Sequence, residues 1–264
     1  MLRPRVIPCL LLHKGGLVKT QKFKFPQYVG DPINAVRIFN EKEADELMIL
    51  DFDCTIQGIE PNYQLIQKLA SECRMPLCYG GGIKSLEQAE RIISLGVEKI
   101  AISSAALDNP FLIREIASNI GSQSVVVILD VSKKHGLFDR GYNIHSHNGK
   151  NIYKYDLLNF VKDLERFGVG EIVINSIDRD GIMNGYDLEL AESIIKTVTM
   201  PVTMIGGAGS MEHISNLVNR CGLIGAAAGS LFVFKGKYRA VLINYPTSKQ
   251  KDDLFCNFNL QKIK

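Results

Sequence analysis

The sequence has 264 residues, of which 46% are hydrophobic and 22% charged, with a formal net charge of +3. These are the proportions of an ordinary soluble globule, too weakly charged to suggest nucleic acid or a membrane surface as partner. No apolar run approaches the roughly 18 residues of a membrane span, and the start of the chain lacks a cleavage signal, so a cytoplasmic protein is expected.

In chain order, eight short apolar runs alternate with helix-period segments. The runs are Val6–Leu12, Leu47–Leu50, Pro76–Tyr79, Ile100–Ile102, Ser124–Leu129, Ile172–Ile174, Val202–Ile205 and Leu223–Ala227. Runs that are apolar throughout suit parallel strands covered on both faces. The segments between them carry helix signals. Asp31-Pro32 and Asn109-Pro110 each place a capping side chain before a first-turn proline, and Ser85 with Gln88 forms a capping box ended by Gly96. Leu157, Phe160, Val161, Leu164 and Phe167 make one apolar stripe that stops at Gly168.

Two stretches break the rhythm. Val131–Tyr153 is a long connection in which His147-Asn148-Gly149-Lys150 is a turn between Tyr142–His145 and Ile152–Tyr155, predicting a hairpin over one end of the fold. From Lys235 onward no full helix is legible. The expectation is a short helix before Pro246, ending a single domain over 1–246, and a polar, loosely ordered tail over 247–264.

An internal repeat chooses among the α/β folds. Met75-Pro76 recurs as Met200-Pro201, Gly81-Gly82 as Gly206-Gly207, and Glu46-Leu47 as Glu171-Ile172, each 125 residues on. Two halves of four βα units predict a (β/α)₈ TIM barrel with a pseudo-twofold axis.

The repeat also marks candidate sites. Gly80–Ile83 and Gly206–Gly209 each follow a strand and precede a helix, where glycine lets the backbone approach an anion. Ser103-Ser104 and Gly229-Ser230 follow one unit later. A doubled corner implies a substrate with phosphate at both ends, bound through Gly82, Ser103 and Ser104 at one and Asp180, Gly181, Gly206, Gly207, Gly229 and Ser230 at the other. Asp51, Asp130, Asp178 and Asp180 stand at strand ends, where a carboxylate with a pKa raised by burial can act as acid or base. At the opposite ends stand Arg5, Glu46, Lys99 and Glu171, which would form a neutral ring if they point inward. His145 and His147 alternate as in a strand but lack a third ligand, so no metal is expected. His13, His135 and His213 read as isolated polar residues. The six cysteines (Cys9, Cys54, Cys73, Cys78, Cys221 and Cys256) form no CxxC pair and read as buried reduced thiols.

Over residues 1–234 the chain resembles the cyclase subunit of imidazole glycerol phosphate synthase. The matching stretches are Gly30-Asp31-Pro32, Asp45-Glu46-Leu47, Gly80–Ile83, Gly121–Val127 ahead of Asp130, Ser176–Gly181 and Gly206–Gly209. The resemblance implies the lyase-type subunit of a glutamine amidotransferase heterodimer that needs no cofactor. A glutaminase docks under the barrel, and its ammonia passes a gate of Arg5, Glu46, Lys99 and Glu171. A phosphorylated small molecule waits at the mouth, near Lys19 and Asp51. Family members use one aspartate at the end of strand one and another at the end of strand five. Asp130 matches the second, but Leu11 stands at the first. That change, together with the ending Gly229–Val241, is similar to a paralogous branch. The branch works with a glutaminase and a third, ATP-using protein to convert a sugar acetamido group to an acetamidino group in surface-polysaccharide biosynthesis. The alternative is an active cyclase of histidine biosynthesis.

Overall fold

The computed structural model describes residues 3–134 and 141–261; His135 lies outside them. Eight parallel strands form its centre: β1 (Arg5–His13), β2 (Leu47–Asp51), β3 (Leu77–Gly80), β4 (Lys99–Ile102), β5 (Val125–Lys133), β6 (Glu171–Ser176), β7 (Val202–Ile205) and β8 (Gly225–Ala228). Each pairs with its successor, and β8 returns to β1 through Arg5↔Gly225 to Pro8↔Ala228, closing the cylinder. The chain is a (β/α)₈ barrel.

After each strand comes a helix of the outer layer: α1 (Pro32–Glu41), α2 (Tyr63–Glu72), α3 (Leu86–Ser94), α4 (Pro110–Ile120), α5 (Leu157–Arg166), α6 (Leu188–Ile195), α7 (Met211–Cys221) and α8 (Ser248–Gln261). Strand residues alternate between two cores. Outward-facing Val6, Leu10, Leu47 and Ile49 pack against helix residues such as Val36 and Phe39. Inward-facing Ile7, Cys9, Met48, Cys78, Val126, Ile128 and Val173 fill the cylinder.

Local signals decide where the helices start. Asp31 accepts from the Asn34 amide at 2.9 Å, ahead of Pro32. Ser85 Oγ accepts from the Gln88 amide, while Gln88 Oε1 reaches back to the Lys84 amide rather than to Ser85. Asn109 precedes Pro110 without a side-chain cap, contrary to the sequence expectation. Cys9, Cys54 and Cys78 are buried free thiols, whereas Cys73 and Cys221 are only half-buried. The side chain of Cys256 lies outside the description.

The first strand of each half is followed by a ribbon. β5 pairs antiparallel with Tyr142–Ser146, which pairs with Asn151–Tyr153, the expected hairpin. β1 pairs with Gly16–Gln21, which pairs with Lys24–Gly30, a ribbon that no turn signal identified in the sequence announced.

The expected tail is a correction. In place of a short helix before Pro246, Phe234–Lys235 and Ala240–Val241 form a small hairpin. Beyond Pro246, Ser248–Gln261 is the helix α8. Thr247 opens it with a capping box, its Oγ1 accepting from the Gln250 amide and its own amide donating to Gln250 Oε1. α8 buries Lys251 and Phe255. Because one inward position is a lysine and charged residues crowd the first turns, the segment reads as mostly polar, which is why the sequence hid it.

Candidate active site

The C-terminal ends of the strands open on one cavity of about 360 Å³. Both glycine turns line it, as do Ser103, Ser104, Gly229 and Ser230, so the two halves of the repeat face one space. Gly81 (φ +125°), Gly82 (+74°), Gly206 (+92°) and Gly207 (+107°) all adopt left-handed backbone. Space forbids a side chain as well. A Cβ on Gly81 would fall 2.2 Å from the Asp51 carbonyl, and one on Gly207 2.1 Å from the Gly185 carbonyl. Ser104 and Ser230 each open a short helix, Ser104–Asp108 and Ser230–Val233.

Asp130, in β5, lines this cavity. Desolvation pushes its carboxyl up to about 7, against the hydrogen bond from Asn175 and with the charge of Asp180. A carboxyl titrating near neutrality can give or take a proton. Burial also raises Asp180, opposed by Lys19. Lys19 is buried, and desolvation holds its ammonium below the usual lysine range. Its Nζ donates to the Cys9 carbonyl at 2.6 Å. Asp51 lines the same cavity but spends its Oδ1 on the amides of Asp53 and Cys54, capping the helix Asp53–Gln57. Leu11 presents an apolar wall there, paired with Leu50 and Val18.

Beneath the cavity floor of Cys9, Met48, Ala101, Ile128 and Val173, the other end of the barrel carries charge. Arg5 bridges Glu46 and Glu171, its Nη2 lying 2.7 Å from Glu171 Oε1. Lys99 Nζ lies 2.9 Å from both Glu46 Oε2 and Glu171 Oε2. Thr203 Oγ1 donates to Glu171 at 2.6 Å. Burial alone would lower the Arg5 pKa, but the two carboxylates more than offset it and hold the guanidinium protonated. The four residues thus form a closed ring of alternating charge, with Glu46 and Glu171 buried.

With this geometry in place, the comparisons with known proteins decide the family. The histidine biosynthesis protein family matches residues 5–239. The chain belongs to that family. Similar members include a Leptospira borgpetersenii protein provisionally named imidazole glycerol phosphate synthase subunit HisF, 56% identical over 97% of this chain and all of its own length. A Vibrio vulnificus protein provisionally named subunit hisF3 is 56% identical over 95% of this chain and 96% of its own. The Lactococcus lactis imidazole glycerol phosphate synthase subunit HisF is 37% identical over 88% of this chain and 89% of its own.

Of the other residues singled out in the sequence, His147 lines the cavity and the rest lie elsewhere. Asp178 accepts from the Lys133 amide at 2.8 Å and does not line the cavity. His145 and His147 do not share a strand face, a correction to the expected alternation. His147 is in a turn with φ +52°, and His145 is tied to Ser132 at 2.8 Å. Among the described residues no three His, Cys, Asp or Glu side chains cluster as metal ligands would. His13 pairs with Asp53 at 2.8 Å and stacks on Phe52, and His213 accepts from the Gly209 amide. Sequence reasoning missed Asn175, whose Nδ2 meets Asp130 and whose buried Oδ1 has no partner among the described residues. Its apolar setting, Ile172–Ile174, was the available signal. Among the described residues no helix is long and apolar enough to cross a membrane.

Proposed function

We propose that this chain is a cyclase-type synthase subunit that takes ammonia from a partner glutaminase through its barrel. It serves as a paralogue delivering ammonia for sugar acetamidino formation in surface-polysaccharide biosynthesis, with a third, ATP-using protein acting on the sugar. One observation carries the reading. An unbroken charged ring closes the bottom of the barrel, while at the mouth, with Asp130, Leu11 stands where an acid/base partner is expected.

Physically, the parts divide the work as follows. The ring of Arg5, Glu46, Lys99 and Glu171 holds back ions from an otherwise apolar interior but yields to a small neutral molecule. The interior from Ile7 and Val126 to Cys9 and Ile128 offers ammonia no proton, so it arrives as a free base. At the mouth the two glycine corners hold a doubly phosphorylated molecule by backbone amides. Asp130, whose carboxyl titrates near neutrality, can take or give a proton at the mouth. Leucine cannot donate one from the opposite wall, so ring closure by the two-carboxylate route lacks its partner. The names of the relatives support the synthase assignment, and the numbered name of the Vibrio vulnificus protein suits a paralogue.

A second reading, an active cyclase of histidine biosynthesis, is favoured by Asp130 and both corners. The test is growth of a histidine-requiring, cyclase-null host carrying this chain with its glutaminase. Failure to grow, with the protein soluble and bound to the glutaminase, is the expected result. Growth without histidine would establish the second reading.

A further inference from the structure

The segment after Pro246 is joined to the ring by a chain of contacts that the ring itself does not explain. We propose that Lys251 and Tyr245 are positioning residues of the charged ring, holding the strand ends that carry Arg5 and Glu46. The functional consequence rests on reading that ring as an ammonia gate; the geometric claim does not.

Arg5 and Glu46 point into the barrel, so their neighbours Val6 and Asp45 face away from its axis. Asp45 joins the two strand ends. Its Oδ2 accepts from the Val6 amide at 3.0 Å. Its Oδ1 accepts from Lys251 Nζ at 2.6 Å and from Arg3 at 3.1 Å. The Tyr245 hydroxyl donates to the Val6 carbonyl at 2.8 Å and accepts from the Asp45 amide at 3.1 Å. Lys251 is 2% exposed, donates also to the Glu43 carbonyl, and lies 5.0 Å from the Tyr245 ring centre. Tyr245 in turn packs on Phe39 and Phe232. A lysine side chain this deeply buried needs fixed partners, and its carboxylate partner, Asp45, adjoins Glu46 of the ring.

The test uses the full chain, with hydrogen exchange and guanidinium NMR as readouts. In Lys251→Met and in Tyr245→Phe, exchange at the Val6 amide and the Arg5 guanidinium should quicken about tenfold, while Val127 and Val173 amides keep their rates. Tyr245→Phe retains the packing and decides the matter if Lys251→Met does not fold. Unchanged exchange at Val6 and Arg5, or an equal acceleration at Val127 and Val173, would overturn the proposal. A separate arm reconstitutes the glutaminase complex and measures ammonia escaping to solvent. If Arg5→Ala leaves that escape unchanged, the gate reading fails while the positioning claim stands.

Discussion

Asn175 Nδ2 donates to Asp130 Oδ1 at 2.7 Å across the seam between β6 and β5. This bond favours the charged carboxylate, and it is the main restraint on a group that desolvation drives upward. Asn175→Leu should therefore move the Asp130 titration above its present value of about 7. Carboxyl carbon shifts followed by NMR against pH would record it. A midpoint that stays in place or falls would mean the bond does not govern the proton.

The same carboxyl makes a stability prediction. Its folded pKa, about 7, lies above the roughly 3.9 of an unfolded aspartate. The folded state therefore holds the proton longer, and the stability it confers below pH 4 is lost as pH rises toward 7. Asp130→Asn, which keeps an acceptor for Asn175, escapes that loss. It should be more stable than the wild type by about 2 kcal/mol at pH 8, with a smaller gain at pH 5. Thermal unfolding at the two pH values checks this; a gain that shrinks with rising pH would contradict the sign.

Leu11 can be tested by replacement. Leu11→Asp restores a proton-transferring group opposite Asp130, and a general acid or base is worth roughly 10²–10⁴-fold in rate. With ammonium chloride as nitrogen source and the bisphosphorylated cyclase substrate, turnover should rise by at least about 10²-fold. Turnover that stays at the wild-type level would show that other mouth residues have also diverged.

Gly229 makes room for Lys19. A Cβ there would lie 1.9 Å from Lys19 Nζ and 2.5 Å from its Cε. Gly229→Ala should therefore push the ammonium off the Cys9 carbonyl and weaken calorimetric binding of a sugar bisphosphate about tenfold. Lys19→Met should weaken it similarly, and the double variant no further, because both remove one interaction. Losses that simply add would separate the two residues.

The cylinder and the outline of its two ends were legible in the chain. Apolar runs of strand length, helix caps such as Asp31 and a repeat of 125 residues are local patterns, set by backbone and burial needs that neighbours in the chain satisfy. The glycines at 81–82 and 206–207 were legible for the same reason, since left-handed backbone beside another strand excludes a side chain whatever else the fold does. Tertiary structure alone decided which polar residues meet. Asn175 stands beside Asp130 because the β5–β6 register puts them level, and Asp178, three residues on, turns away to the Lys133 amide. The ribbon after β1 carries Lys19 to Cys9, and α8 buries Lys251 against Asp45 across 206 residues of chain. A buried ammonium is indistinguishable in sequence from a solvated one, because its stability lies in partners that only folding brings within reach.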